Sequence, residues 1–411
     1  MPYNTLRLVM ASLFDVLVRR AARRWVRLAE PSRPTSARVV TLALGVVAIA
    51  ATSAAAQDPT PGGDLPTDAQ TSVPTKPTGL VFIPIVRSSP QIGFGVGGVA
   101  AYVFQVDSQS RRSGLGAGGL ITDNDSWLLN IGGRVHFDQG NWRVLGGVSV
   151  WDFHYDFFGV GLDAGNANQS IPIKQRGNSE VLEVVRRIRG NFYLGPRYQY
   201  TNNLGTKLDG SNITGPLAVQ ALSQPNEYSV SALGAAAEYD TRNEQIDPTR
   251  GVWARGSAMY AQGWLGSDMS YNYYEAFWNQ YIPVKWRRND VLATRAYICE
   301  VGDAAPIWQM CLYGLRSDLR GYPAGQYRDR AMFATQAEWR TPITERLSGA
   351  LFVGVGGIAD KLSSIATSNW LPSGGPGLRY LLFESWRIKV GVDYAFAKNG
   401  GEFYLRIGQA F

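Results

Sequence analysis

From residue 80 to the end of the chain, apolar and polar side chains alternate. In "WRIKVGVDYAFA", 386–397, Trp386, Ile388, Val390, Val392, Tyr394 and Phe396 fall on one face. Arg387, Lys389, Gly391, Asp393 and Ala395 fall on the other. A strand turns successive side chains to opposite sides, so a period of two gives one apolar face and one polar or small face. "SWLLNIGGRVHFD", 126–138, sets Trp127, Leu129, Ile131, Val135 and Phe137 against Asn130, Arg134 and His136. In "RDRAMFATQAEWRT", 328–341, Arg328, Arg330, Gln336, Glu338 and Arg340 oppose Phe333, Ala337 and Trp339.

A soluble β-sandwich also alternates, but three features favour a membrane barrel. Arg, Lys, Asp and Glu recur at strand centres. Aromatic residues cap the apolar face near strand ends. The segments run roughly 9 to 14 residues, longer than the five or six usual in globular strands. A transmembrane barrel needs an apolar lipid face, aromatic girdles and a polar lumen, and closure removes edges that lipid cannot satisfy. Sixteen segments can be delimited, the first at 80–87 and the last at 402–411, and closed bacterial barrels have even numbers. Pro84 interrupts the first, which leaves fourteen as the alternative. Connections around 157–177, 203–225 and 301–327 read as long extracellular loops.

Composition narrows the function. The 411 residues carry a formal charge of +7, but the basic residues are scattered singly along alternating segments, which speaks against a nucleic-acid partner. No stretch after residue 57 is apolar for 18 residues, so no spanning helix is expected. The block "VVTLALGVVAIAA", 39–51, follows Arg33 and Arg38 and precedes "TSAAAQD", which is the pattern of a signal peptide cleaved after Ala56. Residues 1–56 are therefore a signal-peptide region, whose long arginine-rich front fits a start assigned too early. Residues 57–78 read as a disordered linker and 79–411 as the barrel. Only two histidines, His136 and His154, are present, with no G-x-S-x-G and no Cys/His metal spacing. No enzyme activity, cofactor or metal is expected, and His136 reads as a satisfied lumen side chain. Cys299 and Cys311 flank the start of the last long loop, and Cys299 falls on the lumen side with Arg295 and Tyr297. A bridge would close a loop of about 13 residues and stabilise by roughly 3 kcal/mol in the entropy model. Two buried thiols are the alternative; export favours the bridge.

Several stretches then resemble one superfamily, the BamA/TamA outer-membrane assembly factors and bacterial surface antigens. They are "PIVRSSPQIGFGVGGVAAYVF" (84–104), "EYDTRNEQIDPTRGVWAR" (238–255), "LRGYPAGQYRDR" (319–330), "AEWRTPI" (337–343), "GGPGLRY" and "KVGVDYAF". Each is weak alone; five in order, the last two stretches counted together as the closing strands, are specific. The resemblance implies an outer-membrane protein with a long loop folded into the lumen. In the family that loop's arginine meets carboxylates on the wall. Here Arg320, Gly321 and Tyr322 match the loop motif, Glu338 matches the strand acid, and Asp393 and Asp360 lie at polar or end positions. Gly354 stands where the family often keeps an aspartate. A second departure is length: about 22 residues separate the cleavage site from the barrel, too few for the family's periplasmic POTRA domains. The closing "EFYLRIGQAF" places Phe403, Leu405, Ile407, Gln409 and Phe411 on one outward face. That is the usual form of the signal read by the barrel-assembly machinery. Expected partners are outer-membrane lipid and lipopolysaccharide, that machinery, and periplasmic partner or client proteins. The expected role is non-enzymatic: help with protein or lipid insertion, or, as the alternative, a passive anion-favouring channel or surface antigen.

Overall fold

The computed structural model describes residues 78–411 apart from 90–92, 246, 285–288, 315–317, 368–369 and 384–386. The signal-peptide region, nearly all of the linker and Trp386 lie outside the described residues. The strands in chain order are β1 (Gly79–Ser89), β2 (Gly93–Phe104), β3 (Ser113–Thr122), β4 (Trp127–Phe137), β5 (Trp142–Phe157) and β6 (Ile171–Arg189). They continue with β7 (Phe192–Leu208), β8 (Tyr228–Asp240), β9 (Gly251–Ala261), β10 (Tyr271–Val284), β11 (Asp290–Val301) and β12 (Cys311–Leu312). The last are β13 (Arg328–Asp329), β14 (Ala331–Pro342), β15 (Leu347–Ala359), β16 (Leu371–Phe383), β17 (Ile388–Ala397) and β18 (Gly400–Ile407). Sixteen of them form one antiparallel meander in sequence order, and β12 and β13 pair separately inside the long loop between β11 and β14. β1 lies along β18, which brings the two edges of the sheet together into a barrel. Among the described residues no ladder rung joins these two strands.

Alternation sorts the side chains as a barrel requires. Leu129, Ile131, Val353 and Phe396 are more than half exposed on the outer face, whereas Arg134, Glu238, Glu338 and Asp393 are buried within. Phe94, Trp127, Tyr260 and Trp370 mark one rim and Tyr102, Phe192, Tyr239 and Tyr380 the other. The strand count is sixteen, because β1 runs straight through Pro84, opposite Gly98. A strand at the edge of the ladder tolerates the missing N–H that a central strand would not.

Three expectations change. The first two long connections are shorter than read. β6 and β7 have 19 and 17 residues, since alternation continues through Ile171, Ile173 and Gln175, all buried. What remains of these loops carries two short helices, α1 (Leu162–Ala167) and α2 (Pro216–Leu222). The lumen is not polar throughout. Its long-loop half is apolar and aromatic, with Phe157, Tyr228, Met259 and Met332 packed against Trp308, Tyr313, Tyr322 and Tyr327 of the inserted loop. Arg328 does not begin the next strand: it lies in the loop's own ribbon, its guanidinium near Phe157 and Trp308, with Nη1 donating to the Ile307 carbonyl at 3.3 Å. Arg330 pairs with Asp303 at 3.3 Å on the loop surface.

The end of the chain also departs from the outward pattern. Phe403 is exposed on the outer face, but β18 stops at Ile407. Gly408 turns the chain with φ +87°, a left-handed conformation that favours glycine. Gln409 then donates to Asp247 at 2.8 Å. Phe411 packs against the inward Tyr281, Val291 and Ala293, and its carbonyl accepts from Arg340 Nη2 at 2.7 Å. Gln409 and Phe411 therefore lie across the short-turn mouth rather than on the lipid face.

Candidate functional site

The loop from 302 to 330 enters the barrel and ends at Arg320, which is 1% exposed. A guanidinium cannot shed its proton, so burial of this kind demands acceptors. Arg320 Nη1 lies 2.7 Å from Glu338 Oε2 on β14 and 2.9 Å from Asp393 Oδ2 on β17. Its Nε donates to Gln336 Oε1 at 3.2 Å, and its guanidinium carbon sits 3.4 Å above the Phe352 ring. The backbone around it is held as well. The Ser373 hydroxyl on β16 donates to the Arg320 carbonyl, Gly321 N–H donates to the Tyr404 hydroxyl on β18 at 2.8 Å, and Tyr322 donates to the Pro372 carbonyl at 2.6 Å. Arg320, Gly321, Tyr322, Glu338 and Asp393 are thus brought to one place. Among the described residues Asp360 does not partner Arg320; it follows β15 at the long-loop end, within electrostatic reach of Asp329.

Two glycines make the seat possible. Gly321 has φ +107°, and a Cβ there would lie 2.9 Å from the Cβ of Ala397. At Gly354 a Cβ would meet Gln336 Cγ at 2.6 Å and Leu319 Cδ1 at 3.1 Å. The residue that replaces the family's aspartate therefore clears room for Gln336, and Gln336 supplies the acceptor. The carboxylates are also shared. Glu338 accepts from Arg340 Nε at 2.8 Å, and Asp393 from Arg379 Nη1 at 2.6 Å and Arg406 Nε at 3.1 Å. Four arginines face two carboxylates. Nothing in the sequence singles out Arg379 and Arg406 or separates them from other lumen arginines. Tyr404 and Ser373 carry no signal beyond parity.

The root of the loop is fixed covalently. Cys299 on β11 and Cys311 on β12 are disulfide-bonded, with Cα atoms 6.0 Å apart. Tyr313, one turn further on, accepts from Gly357 N–H at 2.8 Å and donates to the Phe333 carbonyl. The tip side is tied to α1, where Gln326 donates to the Gly165 carbonyl at 3.2 Å and Tyr327 to Asn166 at 3.1 Å. Among the described residues no group of three or more His, Cys, Asp or Glu is placed to hold a metal ion. His136 donates from Nδ1 to the Arg112 carbonyl at 2.8 Å, while its buried Nε2 has no hydrogen-bond partner among the described residues. His154 Nδ1 lies 2.7 Å from Asp209 near the long-loop end.

The fold has solved counterparts. BamA from Haemophilus ducreyi lacking POTRA domains 1-3 superposes with a TM-score of 0.53 at 18% identity, covering 82% of this chain and 70% of that one. CdiB from Escherichia coli gives 0.56 at 12% identity, over 84% and 69%. CdiB from Acinetobacter baumannii gives 0.52 at 11% identity, over 82% of this chain and 60% of that one. No curated protein matches the chain in sequence. Residues 138–411 match the Omp85 superfamily domain, a span that holds the Arg320 seat and the Cys299–Cys311 bridge. The chain is a sixteen-stranded outer-membrane β-barrel and belongs to the Omp85 superfamily.

Proposed function

We propose that this barrel assists the insertion or translocation of proteins or lipids at the outer membrane, without enzymatic chemistry, through the seam between β1 and β18. The observation that carries this reading is the asymmetry of the seam. Glu338, Ser373, Asp393 and Tyr404 lie on β14, β16, β17 and β18, so among the described residues the loop's anchoring contacts near the seam fall on the side of the closing strands. On the other side β1 pairs with a β2 rich in glycine at Gly93, Gly95, Gly97 and Gly98. Glycine lowers the intrinsic stability of a strand and offers no side chain to pack. A stiff edge facing a compliant one suits a seam that opens by moving β1. The loop arginine acts here as an anchor, and the last strand, with Phe403 exposed on its outer face, acts as the signal for the barrel's own assembly. The test is a client-folding assay. Proteoliposomes containing the purified barrel should accelerate the folding of a client barrel, and a cysteine pair engineered across β1 and β18 should abolish the effect when oxidised. Equal client folding in empty and loaded liposomes rejects the reading.

A passive anion-favouring channel is the second reading, supported by the four arginines around two carboxylates in the lumen. Steady, anion-selective openings in planar bilayers together with no client effect would favour it.

A further inference from the structure

A second group of lumen arginines, remote from the loop anchor, likewise shares its carboxylates. Glu238 on β8 lies 3.4 Å from Arg134 and 2.9 Å from Arg143. Glu183 on β6 is shared by Arg197, at 3.0 Å, and Arg255. Asp240, at the end of β8, is shared by Arg242, at 3.0 Å, and Arg111. Each of these carboxylates is thus shared by two arginines. All three carboxylates and four of the arginines are at most 7% exposed. Arginine cannot neutralise itself by releasing a proton, so a buried guanidinium donor without an acceptor calls for an anion.

Two buried atoms indicate where that anion sits. His136 on β4 and Arg143 on β5 are directly opposed in the ladder, on the inward face. Opposed residues have Cβ atoms only about 5 Å apart. The Arg143 Nε and the His136 Nε2 both lack a hydrogen-bond partner among the described residues, and both residues are more than nine-tenths buried. Arg143 Nη1 is already taken by Glu238, and the guanidinium is fixed 3.6 Å above the Tyr193 ring. Its Nε is thus a donor held in place. The His136 Nδ1 faces a carbonyl, which can only accept, so Nδ1 carries the proton. In the neutral ring Nε2 is then an acceptor. The adjacent pair offers a fixed cationic donor and a neutral acceptor.

We propose that this pair binds a protonated phosphate-type oxyanion, inorganic hydrogen phosphate or a phosphomonoester headgroup, entering from the periplasmic mouth. One P–O⁻ oxygen accepts from Arg143 Nε, and the P–OH donates to His136 Nε2. A sulfate carries no proton at neutral pH and cannot make the second bond. Both residues lie within four positions of the β4–β5 turn, at the end where the connections are short, which is the periplasmic end. The site is independent of the seam and of whether the barrel conducts.

Equilibrium dialysis of the full-length barrel in detergent with radiolabelled inorganic phosphate tests it. Saturable binding of one phosphate per barrel, resistant to a tenfold excess of sulfate at equal ionic strength, is expected. Competition by glycerol phosphate assigns the site to headgroups as well as the free ion; failure of glycerol phosphate to compete restricts it to the free ion. His136→Leu, checked for folding by heat-modifiability, should weaken binding by about tenfold, the size of one hydrogen bond to a charged group. Absence of saturable binding to the wild-type barrel, or equal displacement by sulfate, overturns the proposal.

Discussion

Arg320 is held by three acceptors on two strands, and each of its carboxylates keeps other arginines when Arg320 is removed. Arg320→Ala therefore leaves no orphaned buried acid. Its cost should fall near the low end of the range for breaking a buried pair, about 3 kcal/mol. Heat-modifiability on gels should show a lower midpoint, and the segment from 313 to 327 should become sensitive to protease. Arg320→Lys should fall between, because one ammonium cannot serve Gln336, Glu338 and Asp393 in the directions a guanidinium does. Gly354 gives the opposite kind of test. Restoring the family acid by Gly354→Asp should weaken the loop rather than strengthen it, by about 1–3 kcal/mol, since the new Cβ strikes Gln336 and Leu319. A rise in midpoint for Gly354→Asp would mean that Gln336 is a poor substitute. Sequence pointed to Glu338 through parity and motif and to Asp393 through parity alone. It left Gln336 among the strand's polar residues, because an amide accepts a guanidinium only when a neighbour as small as glycine lets it approach.

The inserted loop behaves as an element in its own right: a disulfide at the root, an aromatic cluster in the middle and the arginine seat at the tip. Replacing both Cys299 and Cys311 by serine should cost about 2–4 kcal/mol in the chain-entropy view. The loss should appear first as proteolysis at the loop root, while the Arg320 contacts persist, since the root and the tip are fixed by different strands. Equal protease resistance with and without reductant would show that the aromatic packing alone holds the root. The strands themselves were legible, because a period of two is a local property that any window of about ten residues reveals. Long-range occupancy was not. The apolar residues on the inner face near the long-loop end, such as Phe157, Ile173 and Met259, look like breaks in the alternation until Trp308, Tyr313 and Tyr322 are known to lie against them. The inward turn at Gly408 was hidden for the same reason, since its partners Asp247, Arg340 and Tyr281 are far away in sequence.

At the scale of the whole molecule the barrel is stoppered from both ends. The loop fills the long-loop half, and at the short-turn mouth the β8–β9 turn meets residues from strands six or more places away in the sheet. Asp247 in that turn lies 2.7 Å from Lys389, 3.0 Å from Arg387 and 2.8 Å from the Gln409 amide. The contact spans the mouth, so Asp247→Asn should open it. Planar bilayers should record larger or more frequent openings than the wild type at the same voltage, with the arginine seat intact. The pH response fixes the mechanism. Burial alone would raise the Asp247 carboxyl, but Lys389, Gln409 and Arg387 hold it down at about 2, against an ordinary 3.8. A carboxyl lowered in this way contributes fully above its ordinary value and loses that contribution only as the pH falls toward the lowered one. Wild-type conductance should therefore stay flat from about pH 7 to about pH 5 and rise only in strong acid, whereas the Asn variant is already open at neutral pH. A wild-type opening near pH 6 would place the gate on another group, and an Asn variant as quiet as the wild type would leave the inserted loop as the sole stopper.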